Sequence, residues 1–264
     1  MSTVTSTDGT TIAYDRVGQG PAVVLVDGAL CHRASGPNTP LAQALSRHFT
    51  VYTYDRRGRG ESGDTAPFAP QREIEDLAAV VEEAGAPVCL YGISSGAALA
   101  LDAVESGVPV EKLAVYEPPF VLDGTRPPIP ADYTEQLGRL VAEGRRADAV
   151  RYFMRRGVGL PGVVVAMMRL MPAWPGLKAV AHTLPYDAAF VARYERGTPI
   201  PAGTWSSVKV PALAISGGKS PAWMRNGVRS LAEVLPDAEH HTLEGQTHIV
   251  KPEALAPVLE AFFR

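Results

Sequence analysis

From residue 22 onward, short apolar runs without alternation recur between stretches of helical periodicity. The runs are residues 22–26, 50–54, 88–93, 113–116 and 213–215, with a last strand at 239–243. An unbroken apolar run of this length fits a strand buried on both faces of a parallel sheet. Between them, residues 71–84 place Ile74, Leu77, Ala78 and Val81 at helical spacing. Residues 95–106 and 230–235 read as further helices, and 252–263 opens with proline in its first turn, where the missing N–H costs nothing. Ahead of this series, residues 4–6 and 11–17 flank Asp8-Gly9, a hairpin turn signal. Strand and helix in alternation predict an α/β fold with a mostly parallel, doubly wound sheet.

One stretch breaks the rhythm. Residues 118–207 carry helical patterns at 132–145, 147–156, 163–171 and 177–183, punctuated by prolines, and no convincing strand. This predicts a helical cap inserted between the sixth and seventh strands, over the carboxyl edge where such sheets bind ligands. The core then comprises residues 1–117 and 208–264, and the cap 118–207. Met167, Met168, Met171 and Trp174 are apolar enough to line a pocket beneath the cap. Met168 and Trp174 are taken as candidate substrate contacts; the plainer alternative is that these side chains pack the cap onto the body.

Composition narrows the function. The 264 residues are 46% hydrophobic, so the chain can build a large core. Twenty-five basic and 28 acidic side chains leave a formal charge of −3 without long like-charged blocks, which argues against nucleic acid as a partner. No apolar run reaches the ~18 residues of a membrane span. The first six residues lack the basic start and apolar core of a secretory signal, so the expected setting is cytoplasmic, away from membranes. Cys31 and Cys89 are too few for a disulfide framework.

Three motif matches fall away on context. Gly58-Arg59-Gly60-Glu61-Ser62-Gly63 fits a dinucleotide fingerprint, but no helix opens after it to receive a pyrophosphate. Gly218-Lys219-Ser220 lacks the first glycine of a phosphate loop, since Leu213 stands there. His240, His241 and His248 have no carboxylate or cysteine at metal-site spacing.

Gly92-Ile93-Ser94-Ser95-Gly96 is different, because it follows an apolar strand and opens a helix. That is the context of a nucleophile elbow. Ser94 must take a strained turn conformation, while Gly92 and Gly96 remove side chains that would collide as strand and helix pass. Ser94 Oγ then stands above the sheet, with the helix amino terminus and the Ser95 N–H aimed at negative charge developing beside it.

With these residues in view, the whole chain resembles an α/β-hydrolase-fold protein of the serine esterase type with a helical cap. Asp55-Arg56-Arg57-Gly58-Arg59-Gly60-Glu61-Ser62 is similar to the D-x-R-G-x-G-x-S loop after the fourth strand. Residues 22–29 resemble the third strand and oxyanion loop, and Gly245-Gln246-Thr247-His248 resembles the late loop carrying the catalytic histidine. The resemblance implies Ser94 as nucleophile, His248 as general base, and the N–H groups of Ser95 and Ala29 as the oxyanion hole. His248 also stands on its own position, following the last strand and preceding the final helix. His240 and His241 lie at the start of that strand or within it.

Two positions depart from the family pattern. Asp27-Gly28 replaces the usual His-Gly, placing a carboxyl near a developing oxyanion unless it turns away, pairs with Arg33 or Arg57, or keeps its proton. After the penultimate strand, Ser220 stands near the expected aspartate and no acid follows until Glu233. The family's alternative location, after the preceding strand, is Glu117; Glu244 is a second candidate.

The expected function is cleavage of a small-molecule acyl compound (carboxylic ester, thioester or lactone) through a Ser-His-acid triad and an acyl-enzyme, with no metal or organic cofactor. A serine at the elbow excludes the epoxide hydrolases and haloalkane dehalogenases of this fold, which need aspartate there. A cofactor-free lyase or cyclase, or a ligand-binding member without hydrolysis, is the alternative.

Overall fold

The computed structural model describes residues 2–264. The amino-terminal hairpin forms as β1 (Ser2–Thr5) and β2 (Thr11–Val17). The unalternating apolar runs become β3 (Ala22–Val26), β4 (Thr50–Tyr54), β5 (Val88–Ile93), β6 (Val110–Tyr116) and β7 (Ala212–Gly217), and β8 (Ala238–Leu243) completes the sheet. Strand order is β1-β2-β4-β3-β5-β6-β7-β8. β2 pairs antiparallel with β1 and β4; every other pairing is parallel.

The helices in chain order are α1 (Asn38–Leu45), α2 (Pro70–Glu83) and α3 (Ser95–Glu105), then α4 (Tyr133–Ala142), α5 (Arg146–Tyr152), α6 (Gly162–Met168), α7 (Trp174–Ala179) and α8 (Leu184–Val191) between β6 and β7, and finally α9 (Ala222–Val234) and α10 (Pro252–Phe263). The pleat divides the sheet between two cores. Val24, Val26 and Leu90 face Leu77 of α2, Leu99 of α3 and Leu231 of α9. Their neighbours Val23, Leu25 and Tyr91 face Leu41 and Leu45 of α1 and Leu255 and Leu259 of α10. Each fully buried aliphatic side chain contributes about 1.5–3 kcal/mol of transfer free energy, so both faces fix the register.

The inserted helices build a third cluster from Leu137, Val150, Trp174, Leu184 and Ala188, joined from the body by Leu30. Two differences from the sequence reading matter later. The helix expected over 147–156 ends at Tyr152, and Phe153–Gly157 widens into a π-helical turn. Helix α8, which begins with Pro185 in its first turn, was not anticipated. No helix among the described residues is long and apolar enough to cross a membrane.

Candidate active site

The turn from β5 into α3 holds Ser94 at φ +58°, ψ −128°, a conformation that a serine adopts only under constraint. The constraint is packing. A Cβ on Gly92 would stand 2.6 Å from the Gly96 carbonyl oxygen, and one on Gly96 would stand 2.5 Å from that of Asp27. The Ser94 N–H donates to the Tyr116 carbonyl at 2.9 Å, tying the elbow to β6. Ser95 is the first residue of α3, so its N–H has no helical acceptor and is open to a ligand.

The residue after β6 is Glu117, also at positive φ (+44°) and wholly buried. Its Oε1 accepts the Gly217 N–H at 2.7 Å, and its Oε2 accepts from His248 Nδ1 at 3.0 Å. Both oxygens are therefore oriented, and the imidazole is held with Nε2 as its free nitrogen. Glu244 is exposed and makes no hydrogen bond to His248. Ser220 is buried with its hydroxyl unpartnered. Of the residues proposed from sequence, Ser94, Ser95, Ala29 and His248 line one cavity of about 500 Å³, with Glu117 behind the histidine. Such a set can activate a hydroxyl, hold an imidazolium and bind developing negative charge.

Met168 and Trp174, the candidate substrate contacts, are not brought to this cavity. Trp174 belongs to the apolar cluster of the insertion, and Met168 packs against the outside of that cluster. Neither lines the cavity. The apolar wall comes from Phe153 and Met154 of the widened turn, Leu184, Ala188 and Val191 of α8, and Trp223 and Met224 of α9.

Asp27 turns away from the cavity, its carboxyl lying against Gly36. It pairs with neither arginine suggested by sequence. Arg33 is committed to Asp15, Asp55 and Glu61, and Arg57 to Asp8 and Asp76. Burial raises the Asp27 carboxyl to about 7 despite the charges of Arg59 and Arg56, so it carries a proton through much of the acidic range.

Two acidic residues of the cavity wall escaped the sequence reading, Asp187 on α8 and Glu195 just beyond it. Asp187 receives Arg56 Nη1 at 2.8 Å, Arg59 Nη2 at 2.9 Å and Ser95 Oγ at 2.7 Å. The same arginines donate to the carbonyls of Asp27 (3.2 Å) and Gly28 (2.8 Å), which positions the loop carrying Ala29. The basic, glycine-punctuated loop after β4 thus braces both the loop carrying Ala29 and the residue after Ser94.

Comparison with known proteins agrees with this construction. A family model described as "Alpha/beta hydrolase family" matches residues 20–258. The chain is 54% identical, over the full length of both chains and with a TM-score of 0.92, to an alpha/beta hydrolase from Sphaerobacter thermophilus. It superimposes with a TM-score of 0.70 at 23% identity on an enol-lactonase from Burkholderia xenovorans, covering 99% of each chain. The bottromycin epimerase gives 0.66 at 23% identity, over 100% of this chain and 99% of that one, a likeness of fold alone. Taken with the elbow, the arginine loop and the histidine after β8, the match over residues 20–258 shows that the chain belongs to the alpha/beta hydrolase family.

Proposed function

We propose that the protein is a serine hydrolase that cleaves a small acyl compound, an ester, thioester or lactone, through an acyl-enzyme. The observation that carries this reading is the hydrogen bond from His248 Nδ1 to a buried Glu117 whose second oxygen is fixed by Gly217. An acid held in this way sets the tautomer, leaves Nε2 for the Ser94 hydroxyl, and stabilises the imidazolium formed when that hydroxyl loses its proton. Ser94 Oγ attacks the acyl carbonyl, and the N–H groups of Ser95 and Ala29 receive the oxyanion. His248 then gives its proton to the leaving group and activates a water to cleave the acyl-enzyme.

The lyase or cyclase alternative drew on Asp27 and on the displaced acid; Asp27 lies against Gly36 and outside the cavity lining, which weakens the first of these. Labelling by a fluorophosphonate probe, together with turnover of p-nitrophenyl acyl esters, tests the hydrolase reading. Both are expected in the native enzyme. Ser94→Ala should abolish labelling and lower kcat by about four to six orders of magnitude. A variant that keeps a tenth of native kcat would remove Ser94 as the nucleophile.

A further inference from the structure

A carboxyl group in the cavity wall has no partner in the protein. Glu195 closes the short turn after α8, is 3% exposed and lines the same cavity as Ser94. No hydrogen bond reaches its carboxyl, and the nearest cations, Arg126 and Arg196, act on it only through space. Each has backbone partners of its own, although Arg126 Nη1 is buried without one. Arg126 donates to the Arg156 and Gly157 carbonyls and stacks on Trp223 with 4.5 Å to the ring centre. Arg196 donates to the Pro130 carbonyl at 3.1 Å. A buried polar group without a partner is costly, and leucine at this position would avoid the cost.

The wall around it is apolar, formed by Phe153, Met154, Leu184 and Val191, with one other polar side chain from the insertion besides the committed Asp187. That side chain is Tyr133 of α4. Its hydroxyl occupies the space a side chain at position 157 would need, and it makes no hydrogen bond to the described residues. Two polar groups without hydrogen bonds among the described residues therefore belong to the insertion's side of an otherwise apolar cavity.

We propose that Glu195 and Tyr133 form a donor subsite that binds a neutral acceptor oxygen, an oxo or ether group, on the acyl portion of the substrate. The proposal rests on the hydrolase reading for the word acyl; the subsite itself rests on the cavity wall. Burial pushes the Glu195 carboxyl up to about 8, so at neutral pH it presents an O–H donor rather than a charge. Arg126 and Arg196 on its flanks oppose an ammonium group in the same place. The favoured substrate is thus an oxo- or ether-substituted acyl compound rather than a plain alkanoate of the same length.

The experiment compares p-nitrophenyl alkanoates of four to eight acyl carbons with their oxo-substituted and ω-ammonio counterparts. In the native enzyme at neutral pH, at least one oxo ester should exceed its parent in kcat/KM by about 10- to 100-fold, the scale of satisfying one buried polar group. Glu195→Leu should bring that ratio to about one. Glu195→Gln keeps an N–H donor and should retain part of it, and Tyr133→Phe should lower it. The Gln and Phe variants carry the test should the leucine variant fail to fold. An oxo ratio of one in the native enzyme, an unchanged ratio in the variants, or a preference for the ammonio esters would overturn the subsite. Calorimetric binding of the same esters to Ser94→Ala separates the two readings. Tighter binding of the oxo ester without turnover in the native enzyme supports the subsite and removes hydrolysis. Turnover without discrimination does the reverse.

Discussion

Asp187 and Glu195 are eight residues apart on one helical stretch, 2% and 3% exposed, and both line the cavity. Burial pushes both carboxyls up, but for Asp187 the charges of Arg59 and Arg56 outweigh it and hold the group below the usual carboxylate range. At Glu195 burial wins, and the group keeps its proton to about 8. Burial alone therefore does not say what a carboxyl does. The partnered one is framework, joining the insertion to the arginine loop and the elbow. The unpartnered one retains hydrogen-bonding capacity for something that enters the cavity.

Glu117 has a third arrangement, one oxygen fixed by the backbone and the other given to His248. Glu117→Gln should lower kcat by up to about ten thousandfold with little change in Tm, because it removes charge from the imidazole's partner while keeping its shape. Glu244→Gln and Ser220→Ala should be mild in the same assay. A dead Glu244→Gln beside a normal Glu117→Gln would reassign the acid.

Asp187→Asn should act on stability instead, costing about 3–5 kcal/mol in urea unfolding, because it leaves the buried Arg59 guanidinium without a carboxylate, while Arg56 keeps Glu73. The pH dependence has a definite sign. The Asp187 contribution is complete above the ordinary carboxylate range and is lost as pH falls through its lowered folded value. Glu195 works the other way. The folded state holds its proton longer than the unfolded chain, so native stability falls as pH rises from about 4.5 towards 8. Glu195→Gln should remove that loss, gaining about 2–4 kcal/mol relative to the native protein between pH 5 and 9. Equal losses in the Asn and Gln variants at neutral pH would end the distinction between the two carboxyls.

The smallest effect separates the wall from the packing behind it. Met154→Ala should reorder acyl chain-length preference by a few-fold to about a hundredfold, the scale of one pocket contact. Met168→Ala should leave the order unchanged. A reordering by Met168→Ala alone would return that side chain to the substrate.

Legibility in the sequence followed the range of the interaction concerned. β3 and β4 match their apolar runs residue for residue, because double-sided burial writes itself into consecutive positions. The elbow was readable because Gly92, Ser94 and Gly96 act within five residues. Chain order singled out His248 and the family's alternative acid position singled out Glu117, and the structure hydrogen-bonds the two. Asp187 was not readable, since its partners Arg56 and Arg59 lie far away in sequence and only the tertiary fold joins them. Helix α9 begins at Ala222, well before the expected 230, because Met224 and Val228 bury a face that Trp223, Arg225 and Asn226 obscure in the pattern. Phe153 and Met154 were missed for a related reason, since a locally widened turn changes which face a residue occupies without changing its spacing.

The double duty of Ser95 has a dynamic consequence. Its backbone N–H belongs to the elbow while its hydroxyl grips the insertion through Asp187 at 2.7 Å. Swinging the insertion away would tear a buried, charged knot directly beside Ser94, so this element is not a hinged flap. Substrate traffic is left to the rim, where Val158 and Ile249 line the cavity and are 43% and 88% exposed. Amide protons at the start of α3 and through α8 should then exchange with solvent together, in a single opening event, and more slowly than those of the rim.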